Sequence, residues 1–274
     1  MGAGRLDHGV RRDTRVLAAD TEIEPVGEGR WRGEVNERWW IQRGPFGGYL
    51  STFLTRAALA TAGRPLRSLT VHFVDAPQAG PLDIQATAER VGRSSTALSL
   101  RLEQDERPIA LALAGAAEWR EGEPEWADLK PPEAPAPEDC HPVTRVNGAP
   151  RFHDRFALRW VEGGFIGHPS ERARNLAWMR LQEGGELDAL AVTAMSDGWL
   201  PAAFSKLGRF AIVPTFDLTI HFRAPLPVPG EWLLADYRSH FSAGGAWEED
   251  GELWAQDGTL VAQSRQLAMM RDPQ

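Results

Sequence analysis

The chain has a single cysteine, Cys140. No disulfide can close within it, and a cysteine-based metal cluster is excluded. Such sparing use fits a reducing, cytoplasmic setting. Cys140 lies in PAPEDCHPVT, a proline-rich stretch, and is expected to be an exposed linker thiol rather than a nucleophile. Long apolar runs are also missing. None approaches the roughly 18–20 residues of a membrane span. The N-terminal stretch MGAGRLDHGVRRDTRV has no apolar segment of the secretory kind, and Leu6 stands where a myristoylated Gly2 would need Ser or Thr. Positive charge is not in excess. The net charge of −8 argues against a nucleic-acid binder, although a few local arginines suffice for a phosphate-bearing ligand. There is no G-x-S-x-G, no G-x-x-x-x-G-K and no G-x-G-x-x-G, so nucleophile-elbow and nucleotide-loop chemistry lack their turns.

What is present is enough for a folded core. Hydrophobic residues make up 42% and charged residues 25% of 274 positions, room for one large domain or two ordinary ones. The five residues LTVHF at 69–73 return as LTIHF at 218–222. Neighbouring segments follow in nearly the same register. Gly80 meets Gly230. EQDERPIALALA (103–114) meets AQDGTLVAQSRQ (255–266), and GGYLSTFLTRAAL (47–59) meets DGWLPAAFSKLGR (197–209). A period this long indicates a duplicated domain rather than a solenoid. Prolines crowd residues 120–150, which reads as a linker between halves 1–119 and 151–274.

Each half has the same order of elements. Extended stretches come first, GRWRGEVNERWW in one half and RFALRWV with ARNLAWMRL in the other. An amphipathic helix follows: Leu50, Phe53, Leu54, Ala57 and Ala58 form a stripe stopped at Gly63, and Leu200, Ala203, Phe204 and Leu207 form another stopped at Gly208. Alternating strands close each half, with Leu69, Val71 and Phe73 on one face, as are Leu218, Ile220 and Phe222. A helix with one apolar stripe must be covered by the sheet that follows it. The pattern predicts an α+β fold: two tandem hot dogs, each an antiparallel sheet wrapped around one long helix.

Duplication supplies an internal control, because packing positions should stay apolar in both halves. Asp197, read as opening the second helix, faces Gly47. Thr215 faces Leu66, and Gln266 faces Ala114. A carboxylate base with a hydroxyl and a carboxamide could bind and orient one water. Each residue also has a plain structural role open to it: Ser196 or Asp197 as an N-cap, Thr215 as a strand opener, Gln266 as a solvated strand residue.

At FGGYL, WMRL (178–181), AMSDGWLPAAF (194–204), TFDLTIHFRAP (215–225) and AQDGTLVAQSRQLAMMR (255–271) the sequence resembles the acyl-CoA thioesterase II (TesB-like) family of double hot dogs, over most of its length. The resemblance implies hydrolysis of acyl-CoA by direct attack of water, with no covalent acyl-enzyme. It places the family's Asp, Thr and Gln on Asp197, Thr215 and Gln266. The chain departs from the family after Asp217, where Leu218-Thr219 and Ile220-His221-Phe222-Arg223-Ala224-Pro225 replace the usual run. Backbone N–H groups of Gly198 or Trp199 are expected to meet the oxyanion, with Trp199 lining the pocket and the acyl chain running between the two helices. No metal is expected, and no cofactor beyond the CoA of the substrate. Two rivals stand beside this reading: a non-catalytic acyl-CoA-binding double hot dog, and an enoyl-CoA hydratase using the His-Phe pairs at 72–73 and 221–222. Edge strands make a homodimer or tetramer the expected assembly.

Overall fold

A computed structural model describes residues 16–41, 44–144, 151–164, 166–198 and 200–271. Gly2 and Trp199 lie outside them. In the first half a short helix α1 (Val16–Asp20) leads to strands β1 (Glu24–Gly27) and β2 (Arg30–Val35). Helix α2 (Gly47–Ala62) follows, then strands β3 (Leu66–Phe73), β4 (Gly80–Val91), β5 (Ser95–Gln104) and β6 (Arg107–Ala117). The second half holds β7 (His141–Pro142), β8 (Phe156–Gly163), β9 (Ala173–Leu181) and two short helices, α3 (Ala189–Met195) and α4 (Ala202–Leu207). Strands β10 (Thr215–Phe222), β11 (Leu233–Ser239), β12 (Ser242–Ala243), β13 (Ala246–Ala255) and β14 (Leu260–Met269) complete it.

The strands form one antiparallel sheet in the order β1-β2-β4-β5-β6-β3-β10-β14-β13-β11-β9-β8-β7, with β12 paired to β13. The two copies of the repeated pentapeptide are the strands that join the halves. Leu69 pairs with Ile220, Thr70 with Thr219 and Val71 with Leu218. A local two-fold axis therefore passes between Thr70 and Thr219, whose hydroxyls are 3.1 Å apart. Sequence similarity across the halves follows from this geometry, since each copy packs against the other.

Helix α2 buries Leu50, Phe53, Leu54, Ala57 and Ala58 completely or nearly so against β3–β6 and α3. Burial of each large side chain stabilises the fold by roughly 1.5–3 kcal/mol. Gly63, at φ +60°, ends the helix in the left-handed conformation as expected.

The second helix differs from the expectation. The segment that packs on α2 is α3, N-capped by Asp188, whose Oδ1 accepts from the N–H groups of Leu190 and Ala191. Asp197 follows the C-terminus of α3 instead of opening a helix. Pro201 cannot donate to a continuing helix, so the chain breaks after Ser196 and restarts at Ala202. Of the expected stripe, Ala203, Phe204 and Leu207 belong to α4, which lies on β9 and β11, while Leu200 precedes the helix. The expected channel between the central helices is closed where the hydroxyls of Thr55 and Thr193, both fully buried, lie 3.0 Å apart.

Cys140 is also a correction. It is buried against Leu176, Trp178, Leu234 and Trp254. The segment before it is held there because the Trp178 indole donates to the Pro135 carbonyl at 2.8 Å. Burial, reinforced by Asp139, pushes the thiol's pKa up, the opposite of what a nucleophile needs.

Candidate active site

The strand ladders show which positions of the two halves correspond. Leu66 pairs with Ala116 and Leu69 with Ala114 in the first half; Thr215 pairs with Ala268 and Leu218 with Gln266 in the second. Thr215 thus stands at the position of Leu66, and Gln266 at that of Ala114. The next strand extends the match. Leu98 pairs with Ala114 as Glu249 pairs with Gln266. Ala86 pairs with Leu100 as Tyr237 pairs with Gly251. Four apolar inward positions of the first half have become Thr, Gln, Glu and Tyr in the second.

A β-bulge aims Thr215. Strand β10 shifts register between Thr215 and Asp217, which turns Phe216 out to 53% exposure and brings Thr215 to the inner face. Strand β3 shifts at the matching place, between Leu66 and Ser68. Once inward, the Thr215 hydroxyl donates to the Gln266 carbonyl oxygen at 2.9 Å. The Gln266 amide nitrogen donates to Glu249 Oε1 at 2.8 Å, and the same side chain lies near the Asp197 carboxylate, where it lowers the pKa of that acid. The carbonyl and one N–H of this buried amide are therefore engaged, with the amide nitrogen set between Glu249 and Asp197. The structure brings Asp197, Thr215 and Gln266 together through one carboxamide.

Asp197 is held from both sides. Its Oδ2 accepts the backbone N–H of Gly48 at 2.8 Å, so the N-terminus of α2 points at it. The end of α3 is pinned to the sheet: the Tyr237 hydroxyl donates to the Met195 carbonyl, and Ser264 Oγ donates to the Ser196 carbonyl at 3.3 Å. Burial raises the pKa of Asp197 to about 6, against hydrogen bonds from Gly48, Gln266 and Gly47 that lower it. Burial likewise raises Glu249 to about 8 and Tyr237 well above its usual value, with neighbouring negative charge adding to both.

Gly48, Glu249 and Tyr237 were not picked from the sequence. The paired glycines of FGGYL carried a signal, now explained by close approach. A Cβ on Gly48 would lie 2.6 Å from the Phe46 ring and 2.7 Å from the Ala194 carbonyl oxygen, and one on Gly47 would lie 2.7 Å from the Phe73 ring. Gly48→Ala should push α2 away from Asp197. We expect a loss of about 1–3 kcal/mol in stability and a rate loss of up to about 10²-fold from misplacement. Thermal melts with rate measurements on the same sample check this; unaltered values for both would refute the close-approach account. Gly198 is buried beside Phe156 and Met179, and its N–H donates to the Met195 carbonyl at 3.3 Å.

A cavity of about 570 Å³ opens near the other end of α3, lined by Trp31, Arg56, Leu66, Trp119, Leu190 and neighbours. It contains Leu66, the counterpart of Thr215, and so belongs to the first half's version of the site. His72 and His221, the basis of the hydratase reading, are both exposed on the outer face of the sheet.

The acyl-CoA thioesterase C-terminal domain matches residues 137–270, and the acyl-CoA thioesterase N-terminal domain matches residues 36–117. The chain belongs to the acyl-CoA thioesterase family and is a thioester hydrolase with a double hot dog fold. No curated protein matches it. Among solved structures it is similar to a conserved hot dog protein of Alicyclobacillus acidocaldarius, with 26% identity and TM-score 0.88 over 95% of this chain and 100% of that one. It is similar also to a protein described as a thioesterase II of Thermobifida fusca YX, with 28% identity and TM-score 0.85 over 94% and 98%. The acyl-CoA thioesterase II TesB2 of Mycobacterium marinum shares the fold at 22% identity and TM-score 0.75, over 94% and 98%.

Proposed function

We propose that the chain hydrolyses an acyl-CoA to the free acid and CoA by direct attack of water, with Asp197 as general base and Thr215 and Gln266 orienting that water. The observation that carries this reading is the convergence of Thr215, hydrogen-bonded to the Gln266 amide, and of Asp197, which lies near that amide and is set against the N-terminus of α2. Asp197 removes a proton from water as its oxygen attacks the thioester carbonyl. Negative charge developing on the carbonyl oxygen is met by the positive end of the α2 dipole, which also holds Asp197 through the Gly48 N–H. This replaces the expected placement at a helix beginning with Gly198 and Trp199. Collapse of the intermediate breaks the C–S bond, and the proton held by Asp197 leaves with the thiolate. The reaction uses no cofactor beyond the CoA of the substrate.

Thiol release from a panel of acyl-CoAs of increasing chain length tests the reading, and absence of release from every member would overturn it. The pH dependence is a sharper test. Asp197 must be ionised to accept the proton, so kcat/KM should rise with pH and reach half its plateau near pH 6. A profile flat from pH 5 to 8 would remove Asp197 from the role. No helix among the described residues is long and apolar enough to cross a membrane; cytoplasmic location is the expectation from cysteine usage. Strands β1 and β7 end the sheet, and we expect further association into a dimer or tetramer.

A further inference from the structure

Glu249 is 5% exposed and forms no ion pair among the described residues. Its two oxygens each accept one bond. Oε2 takes the Ala202 N–H at the start of α4, and Oε1 takes one N–H of Gln266. The matching position of the first half is Leu98, so the sheet does not need a carboxyl there to fold. A buried carboxyl at a position that packing alone fills with leucine calls for another reason.

That reason lies in the amide between the two acids. Gln266 can serve Thr215 and Asp197 together only with its carbonyl toward Thr215 and its nitrogen toward Asp197. A carboxamide has nearly the same shape when flipped, so shape alone does not choose. An acceptor on the far side of the nitrogen does. We propose that Glu249 is a positioning residue for hydrolysis: by accepting an N–H of Gln266 it locks the amide in the one orientation that lets Thr215 and Asp197 share the attacking water. This inference rests on the thioesterase reading of the site. The titratable groups facing Glu249 are Asp197 from the α3–α4 connection and Tyr237 from β11; Glu248 adjoins it on β13, and none of these is basic. Glu249 keeps its proton to about pH 8, which leaves the negative charge of the pair on Asp197 in the working range.

The test is Glu249→Leu, chosen because leucine occupies the equivalent site in the same protein. The variant should fold, with kcat lowered about 10- to 100-fold through a loosened water site and KM changed by less than about threefold, since no substrate contact is lost. Its kcat/KM profile should also move, with the half-maximum rising above pH 6, because a freed amide can turn its carbonyl toward Asp197 and favour the protonated acid. A folded Glu249→Leu with wild-type kcat and an unmoved profile overturns the proposal, as does a loss confined to KM. If this variant fails to fold, Glu249→Met decides. It fills a similar volume without a carboxyl oxygen to accept the Gln266 N–H and should show the same kcat loss and upward displacement; wild-type behaviour there also overturns the proposal. Wild-type protein that releases no thiol would fell the thioesterase reading and this inference together, an outcome distinct from a failure of the variants alone.

Discussion

Asp197→Asn should lower kcat by about 10²–10⁴-fold, the usual worth of a positioned general base. Asparagine keeps the size of the side chain and an oxygen to accept the Gly48 N–H, so α2 and the end of α3 should hold their places. What it loses is basicity. The substitution also sets an NH₂ group facing the Gln266 amide, a local mismatch that adds to the loss without removing the fold. Thiol release at saturating acyl-CoA near pH 8, with circular dichroism on the same preparation, measures both parts. A folded mutant working at the wild-type rate would end the assignment of Asp197.

The second large effect is on stability and comes from Glu249. Its pKa is about 8 in the folded chain against 4.5 for an ordinary glutamate. Between those values the folded state holds a proton that the unfolded state has lost. Stability is therefore full below about pH 4.5 and falls as pH rises, by about 1.4 kcal/mol per unit at most, until the folded group ionises near pH 8. Asp197 acts in the same direction only up to about pH 6. His221, exposed but partly desolvated and beside Arg223, has a lowered pKa and acts oppositely, only below its ordinary value of 6.5. The interval from pH 6.5 to 8 thus isolates Glu249, and wild-type stability should drop there by roughly 2 kcal/mol. For a chain of this size that is about 4–8 °C in melting temperature. Glu249→Leu should flatten the interval. An equal slope in wild type and variant would show that Glu249 does not carry the buried proton.

Much of the architecture was legible because periodicity and repetition are local properties of a chain. The α2 stripe, its stop at Gly63 and the alternation of Leu69 and Val71 all agree with observed burial. The repeated pentapeptide identified the duplication, and the ladders confirm that Thr215 and Gln266 replace Leu66 and Ala114. Glu249 was within reach of the same comparison. It alternates with Trp247, Gly251 and Leu253, all buried, but a glutamate in AWEEDGELW reads as a solvated residue unless its partner Leu98 is set beside it. The second helix was misplaced because GYL and GWL are alike, although the packed helix ends before the second of them. The signal that outweighs this likeness is Pro201, which stops a helix from running through.

The chain's order of residues was enough to specify two hot dogs, their shared strand pair and the polar substitutions confined to one half, because hydrophobic period and duplication need no knowledge of contacts. Folding in three dimensions settled the rest. A strict period of two running back from Leu218 would turn Thr215 outward; the bulge at Phe216 reverses it, and a bulge depends on how the partner strand pairs. Gly47 looked like the blank counterpart of Asp197, yet it and Gly48 are its neighbours across the two-fold axis. The site belongs to both halves because the end of α3 meets the start of α2, and such a contact between distant segments is created by packing.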